Sequence, residues 1–296
     1  MRLKELLSQS IRRPFFVYLQ VNNRNLLCTV TDANKIYDIG VRLDDLIVLP
    51  VPRIREVVEA SIVQTLPELD DALVLAPSQG QEVWAAGVTY KRSKVAREEE
   101  SRTPDVYDLV YDAYRPELFF KARPGGIVGP DSYVGIRSDS SWDVPEPELA
   151  VLFNSQGQVV GYSCGNDMSS RSIEAENPLY LPQAKIYDKS CAIGPALIPA
   201  WSIGDIKKCS IRMVILRNGD TVFDGNANLS EMKRSIDELA EFLFRHYEFP
   251  KGVWLLTGTG IVPENGFTLR QDDEIIIEIS GLGVLKNKVQ KLIPNR

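Results

Sequence analysis

The chain has 296 residues, 44% apolar and 25% charged, with 34 basic against 40 acidic side chains and a net charge of −6. That length allows one large domain or a small domain followed by a large one, and the ordinary composition excludes a fibrous or low-complexity protein. The acidic balance and the lack of a dense Lys/Arg block exclude a nucleic-acid partner. The longest apolar runs, such as Phe15–Leu19 and Leu46–Val51, are far too short to span a bilayer, so no membrane partner is expected. The opening Met1-Arg-Leu-Lys-Glu-Leu-Leu carries charges inside its apolar run and does not read as a secretory signal. Four scattered cysteines, Cys28, Cys164, Cys191 and Cys209, include no C-x-x-C pair and fit reduced thiols in a cytoplasmic protein.

Residues 1–78 read as a small α+β unit, with strand-like Phe15–Val21 and Leu26–Val30 followed by a helical Arg53–Thr65. Pro77-Ser-Gln-Gly80 reads as a linker or turn, separating this unit from a second domain over 79–296. From Val83 onward the texture changes to short strands punctuated by Gly, Pro and Asn-Gly. Ile211–Arg217, Asn218-Gly219 and Thr221–Phe223 predict a hairpin with a type I′ turn. In Ser230–Tyr247, Met232, Ile236, Leu239, Ala240, Leu243 and Phe244 recur at helical spacing. The chain's single histidine, His246, falls near the end of that helix, where it reads as a favourable C-terminal charge rather than a catalyst. Glu274–Ile279 and Gly283–Val289 supply late strands. Strands outnumber helices without regular alternation, which predicts an α+β fold with a β-rich second domain and argues against a doubly wound sheet.

The densest chemistry lies in Pro145-Glu-Pro-Glu-Leu-Ala150. Residues two apart on an extended chain share a face, so Glu146 and Glu148 project together. The strand runs on to Phe153, turns at Ser155-Gln-Gly-Gln158 and returns through Val159–Cys164. A two-residue loop at Gln156-Gly157 sets Asp167 opposite Glu146, with Cβ atoms ~5 Å apart. Three carboxylates so close require either a retained proton or a bound cation. Oxygen donors without imidazole select a hard ion, Mg²⁺ first, with Mn²⁺ or Ca²⁺ as alternatives. The competing reading, a solvated acidic hairpin, stays open on E-x-E alone.

Two further segments carry unusual residues. Arg115–Ala122 sets Glu117 and Lys121 around an apolar core, and Pro178–Asp188 carries Gln183, Lys185 and Tyr187 at alternate positions, as on one face of an extended run. A lysine beside a metal-bound keto acid can move a proton, while an isolated lysine is ordinarily a snorkelling surface group. Thr257-Gly-Thr-Gly260 reads equally as a pocket wall of hydroxyls and N–H groups or as a plain tight turn.

Taken in order, these segments resemble the fumarylacetoacetate hydrolase superfamily. Gly87-Val-Thr-Tyr90 resembles its G-x-N-Y motif and Phe119-Phe-Lys121 its F-x-K motif. The E-x-E pair, Asn166-Asp167-Met-Ser-Ser-Arg171, a downstream lysine and Thr257-Gly-Thr then follow. The likeness covers roughly residues 83–290. It is similar above all to the 2-keto-3-deoxy-D-arabinonate dehydratase branch, through Tyr107–Ala122, Arg137–Trp142 and Glu174–Tyr187. The resemblance implies a mixed β-sheet roll of the superfamily's C-terminal type and a homodimer or homotetramer. It implies a metal on Glu146, Glu148 and Asp167, catalytic Lys185 and Glu117, and substrate contacts from Tyr90, Lys121, Arg171 and Thr259.

The implied substrate is a 2-keto-3-deoxy-pentonate, dehydrated to 2,5-dioxopentanoate in pentose breakdown. Lys185 takes the C3 proton and Glu117 assists loss of the C4 hydroxyl. Superfamily hydrolases and decarboxylases commonly place a histidine three residues after the motif tyrosine and a glutamate three further on. Ser93 and Ala96 occupy those positions here, so a water-activating dyad is missing and dehydration is favoured. Ser172 replaces the family's aspartate, a departure with no consequence derivable from sequence. The alternatives are a superfamily hydrolase or decarboxylase acting on an acylpyruvate or oxaloacetate, and an inactive Mg²⁺-dependent keto-acid-binding protein.

Overall fold

The computed structural model describes residues 1–9, 11–31, 34–66, 69, 71–100 and 109–294, with the side chains of 96–100 excepted. Tyr107 and Asp108 of the segment quoted above lie outside these. The strands of the first half are β1 (Phe15–Val21), β2 (Arg24–Val30), β3 (Ile36–Asp38), β4 (Leu73–Leu75), β5 (Glu82–Gly87), β6 (Glu117–Ala122), β7 (Ile127–Val128) and β8 (Tyr133–Ile136). Those of the second half are β9 (Asp143–Phe153), β10 (Val159–Ser170), β11 (Cys191–Pro199), β12 (Ser210–Arg217), β13 (Asp220–Asn228), β14 (Val253–Leu256), β15 (Glu274–Ile279) and β16 (Gly283–Lys291). Among the described residues they form two mixed sheets. One has eleven strands, ordered β3-β2-β1-β11-β10-β9-β14-β5-β6, with β4 beside β1 and β7 beside β11; the other is β13-β12-β15-β16-β8.

Period-two alternation decides what each face of the large sheet does. Leu149, Val151 and Phe153 on β9 pack with Ile211, Met213 and Ile215 on β12 and with Ile275 and Ile277 on β15. The alternate residues, Ala150 and Leu152, pack with Trp254 and Leu256 and with Leu43, Leu46, Ile54 and Val58 of the helical layer. All eleven residues of β9 are buried, as expected of a central strand covered on both sides. Burying each larger aliphatic side chain contributes about 1.5–3 kcal/mol, so this strand is the best-anchored support the fold offers.

Local chemistry sets the element ends. The hairpin between β12 and β13 turns on Asn218 and Gly219, with φ of 54° and 90°, the left-handed pair a type I′ turn needs. The helix Val51–Ala60 buries Ile54 and Val58 one turn apart. It stops short of the expected Thr65, where Ser61 returns its hydroxyl to the Val58 carbonyl and a β-branched run follows. The helix expected over Ser230–Tyr247 occupies only Ile236–Phe244, because Ser235 caps it by accepting from Glu238 N–H at 3.0 Å. His246 lies beyond its end, exposed to solvent.

The β9–β10 hairpin differs from expectation in its turn yet keeps its register. Asn154 N–H donates to the Gln158 carbonyl and Gly157 N–H to the Asn154 carbonyl, which makes a three-residue loop with Gly157 at φ 75°. A bulge between Val159 and Gly161 then absorbs one residue. The two irregularities cancel, and Asp167 stands opposite Glu146.

Candidate active site

The site sits where β9 and β10 leave the two-sided core. Glu146 and Glu148 continue the face of Ala150 and Leu152, and Gly165, paired with Glu148, leaves the glutamate uncrowded from that side. Glu146, Glu148 and Asp167 each offer a carboxylate oxygen within 4.8 Å of the others, and all three are buried. Burial, and behind it the charges of Asp167 and Glu146, pushes the Glu148 carboxyl well above its usual range. Gly258 N–H donates to Glu148 Oε2 at 2.6 Å, so part of that cost is offset.

Cations from three elements surround the trio. Lys185 Nζ lies 2.5 Å from Glu146 Oε2, 3.0 Å from Asp167 Oδ2 and 2.6 Å from Ser169 Oγ. Arg171 donates to Glu146 Oε1 at 2.8 Å, and Lys121 Nζ is 2.5 Å from Asp167 Oδ1. The segment carrying Lys185 is helical, a 3₁₀ turn over Pro178–Tyr180 and an α-turn over Leu181–Lys185, not the extended run its alternation suggested. The winding buries Lys185 and leaves Gln183 exposed; Tyr187 instead lies behind Lys121.

A small cavity of about 20 Å³ opens on the trio. Glu117, Lys185, Thr259 and Ser93 are in its wall; Tyr90, Lys121 and Arg171 are not. Glu117 reaches it because its strand partner is Gly87. A Cβ on that glycine would fall 1.9 Å from Glu117 Oε2. The motif at 87–90 and the one at 257–260 interlock. Thr89 Oγ donates to the Thr257 carbonyl at 2.7 Å, and a Cβ on Gly258 would meet that hydroxyl at 2.0 Å. Val88, between them, holds φ at 51°, a costly conformation for a β-branched residue and one found mainly at functional sites. Thr257–Gly260 is therefore a wall of the site, its Thr259 Oγ accepting from Ile261 N–H at 3.1 Å. Tyr90 is buried beneath, its phenol raised by desolvation and by the nearby Glu148 charge.

Two residues of the site escaped the sequence reading. Glu174 is buried in the helix Arg171–Glu176 and lines the cavity; its spacing of three from Arg171, one helical turn, was the available signal. Ser169, which accepts from Lys185, follows Asp167 by two on one strand, the same period that links the glutamates. Ser172 bonds to loop residues, with its Oγ 3.0 Å from Ser140 Oγ and accepting from Ser141 N–H at 3.2 Å. It ties the loop before β9 to the helix carrying Arg171.

The fold and this acidic site define the class: the chain belongs to the fumarylacetoacetate hydrolase family, whose "Fumarylacetoacetate (FAA) hydrolase C-terminal" model matches residues 82–290. Within it, the chain is 49% identical over 234 residues to a Haloferax volcanii protein named "Probable 2-keto-3-deoxyxylonate dehydratase", covering 78% of this chain and 81% of that one. It is 40% identical over 228 residues to 2-dehydro-3-deoxy-D-arabinonate dehydratase of Saccharolobus solfataricus, covering 76% of each. Its structure matches that of a 2-keto-3-deoxy-D-arabinonate dehydratase complexed with magnesium and 2,5-dioxopentanoate. The TM-score is 0.83 at 33% identity, over 95% of this chain and all of that one. The expected branch of the superfamily is thus where the similarity lies.

Proposed function

We propose that the protein is a magnesium-dependent dehydratase that converts a 2-keto-3-deoxy-pentonate into 2,5-dioxopentanoate, with Glu146, Glu148 and Asp167 holding the ion. The observation that carries this reading is the buried trio with oxygens within 4.8 Å of one another, on a chain similar over 78% and 76% of its length to two relatives named as dehydratases of such acids. The residues fit the ion. A hard ion such as Mg²⁺ takes several oxygens held a few ångström apart, and three buried carboxylate oxygens within 4.8 Å of one another offer such a set. Bound magnesium supplies Lewis-acid polarisation of a chelating 2-keto acid.

The chain's own residues do the rest. Lys185, in its unprotonated amine form, takes the proton from C3, and its short helix lets it reach the cavity from the trio's side. Glu117, presented across Gly87, hands a proton to the departing C4 hydroxyl, so one water leaves and a C3–C4 double bond forms. The product then isomerises to the 5-aldehyde with no change in composition. Ser93 stands in the wall where the resemblance puts a water-activating histidine, which supports elimination over hydrolysis.

The division into an N-terminal unit over 1–78 and a catalytic unit over 79–296 belongs to the same proposal, as do a homodimeric or homotetrameric assembly and a cytoplasmic setting. Cys28, Cys164 and Cys191, buried as free thiols, support the last. Among the described residues, no helix is long and apolar enough to cross a membrane.

The deciding experiment is an NMR product assay on a panel of 2-keto-3-deoxy sugar acids, with Mg²⁺ and with EDTA. One product retaining all carbons, formed only with the metal, is expected. Carbon–carbon cleavage or CO₂ release would replace the reading with a hydrolase or decarboxylase, and binding without turnover would make the protein a keto-acid binder.

A further inference from the structure

Lys121 has no exposed surface. An ammonium has three N–H donors, and the structure surrounds this one with three acceptors. Asp167 Oδ1 lies at 2.5 Å, the Met168 carbonyl at 2.9 Å and the Lys185 carbonyl at 2.5 Å. The Tyr187 ring closes a further side, its centroid 5.8 Å from Nζ. Asp167 and Lys185 line the cavity and Lys121 does not. With two donors bonded to main-chain carbonyls, its charge paired with Asp167 and no surface on the cavity, Lys121 has nothing to offer a substrate. It touches the two groups that do.

One of those contacts is to the main chain. The Lys185 carbonyl ends a helix of five residues, and carbonyls at a helix end lack an intrahelical partner. Lys121 supplies one. The Lys185 side chain is thus held at both ends, its carbonyl by Lys121 and its Nζ by Glu146 and Asp167. When Nζ leaves those carboxylates to act on a substrate, the carbonyl anchor is what keeps its stem aimed.

We propose that Lys121 is a positioning residue: one ammonium, bound at once to Asp167 and to the Lys185 carbonyl, sets the distance between a metal-binding carboxylate and the base. The proposal rests on the reading of Lys185 as the group that removes the C3 proton.

The test uses the full chain loaded with Mg²⁺ and Lys121→Met, which keeps most of the stem and removes the donors. Turnover of 2-keto-3-deoxy-D-arabinonate should fall about 10–100-fold, the scale of a misaimed proton transfer. KM and the Kd for pyruvate should stay within about 2-fold. Pyruvate should still titrate one site per chain by calorimetry, which shows that the loss is not unfolded protein. The C3-deuterium isotope effect on kcat should rise, because the badly aimed base slows C–H cleavage; a general loosening of the fold would leave it unchanged. Lys121→Arg should recover part of the rate. Pyruvate binding weakened ~10-fold with kcat retained, or lost turnover with an unchanged isotope effect, overturns the proposal. If the parent protein dehydrates no sugar acid, the dehydratase reading fails by itself. A crystal of Lys121→Met then still decides: a displaced Lys185 carbonyl supports the anchor, and an unmoved one refutes it.

Discussion

The β9–β10 hairpin and the segment that follows it, Arg171 to Tyr187, bring the two halves of the site together by different physics. The hairpin carries the carboxylates on a scaffold buried on both faces, where a one-residue slip would turn every side chain to the wrong side. The following segment is three short turns of helix with little core of its own. It is held instead by charge, through Arg171 on Glu146 and Lys185 on Glu146 and Asp167. Packing fixes the carboxylate trio, and those carboxylates in turn fix the lysine. The second half therefore depends on the first in a way the first does not reciprocate.

Cutting the link between the halves should give the largest effect. Lys185→Met should lower turnover by ~10²–10⁴-fold, the usual scale for losing a proton-transfer group. The same change should tighten Mg²⁺ binding, by ~10-fold if it removes about 1.4 kcal/mol of competition. Lys185 Nζ now occupies the oxygens of Glu146 and Asp167 that the proposed ion would bind. Calorimetry on the metal-free variant checks this, and weaker binding would show that Lys185 supports the ion instead of competing with it. A smaller effect is expected from β5, which lies in the same sheet with β14 between it and the hairpin. Gly87→Ala puts a Cβ where Glu117 Oε2 now lies, so the carboxylate must swing away. Turnover should drop ~10–100-fold with Mg²⁺ affinity unchanged, and unchanged turnover would remove Glu117 from the chemistry.

The same contrast explains what was legible in the sequence. The trio could be read because strand periodicity is short-range and exact in parity, and Glu146, Glu148 and Asp167 needed only a register. That register came out right through two compensating departures, a loop of three residues and the extra residue before Gly161, which no local rule links. The alternation of Gln183, Lys185 and Tyr187 misled, because this stretch takes its helical form from tertiary charge contacts that local pattern does not encode. Lys121 and Arg171 were placed at the site, but which way each faces depends on acceptors contributed from distant segments. Glu174 was missed because the six-residue helix bearing it shows only one turn, so its spacing from Arg171 could not stand out as a period.

A third prediction concerns the root of the hairpin. Desolvation pushes the Asp143 carboxyl up to about 6, with the Ser140 hydroxyl and Arg137 N–H pulling partly back. The unfolded chain releases that proton near its ordinary value of about 3.9. Between these limits the folded protein holds a proton the unfolded chain has lost, so stability falls as pH rises from about 4 to about 6 and is level above. The loss is ~2–3 kcal/mol. Asp143→Asn should flatten that part of a melting-temperature profile, and an identical slope in the variant would assign the titration elsewhere.

The smallest effect is expected outside both regions. His246 is the chain's only imidazole and lies exposed beyond the helix Ile236–Phe244, away from the cavity and the trio. A hydrolase mechanism built on a histidine base would have to use it. His246→Ala should therefore leave turnover and Mg²⁺ affinity within about 2-fold of the parent and stability within about 0.5 kcal/mol, as for surface changes away from special features. A large loss of turnover in that variant would tie this remote surface to the chemistry, and the division of labour between hairpin and helical segment would then no longer account for the site.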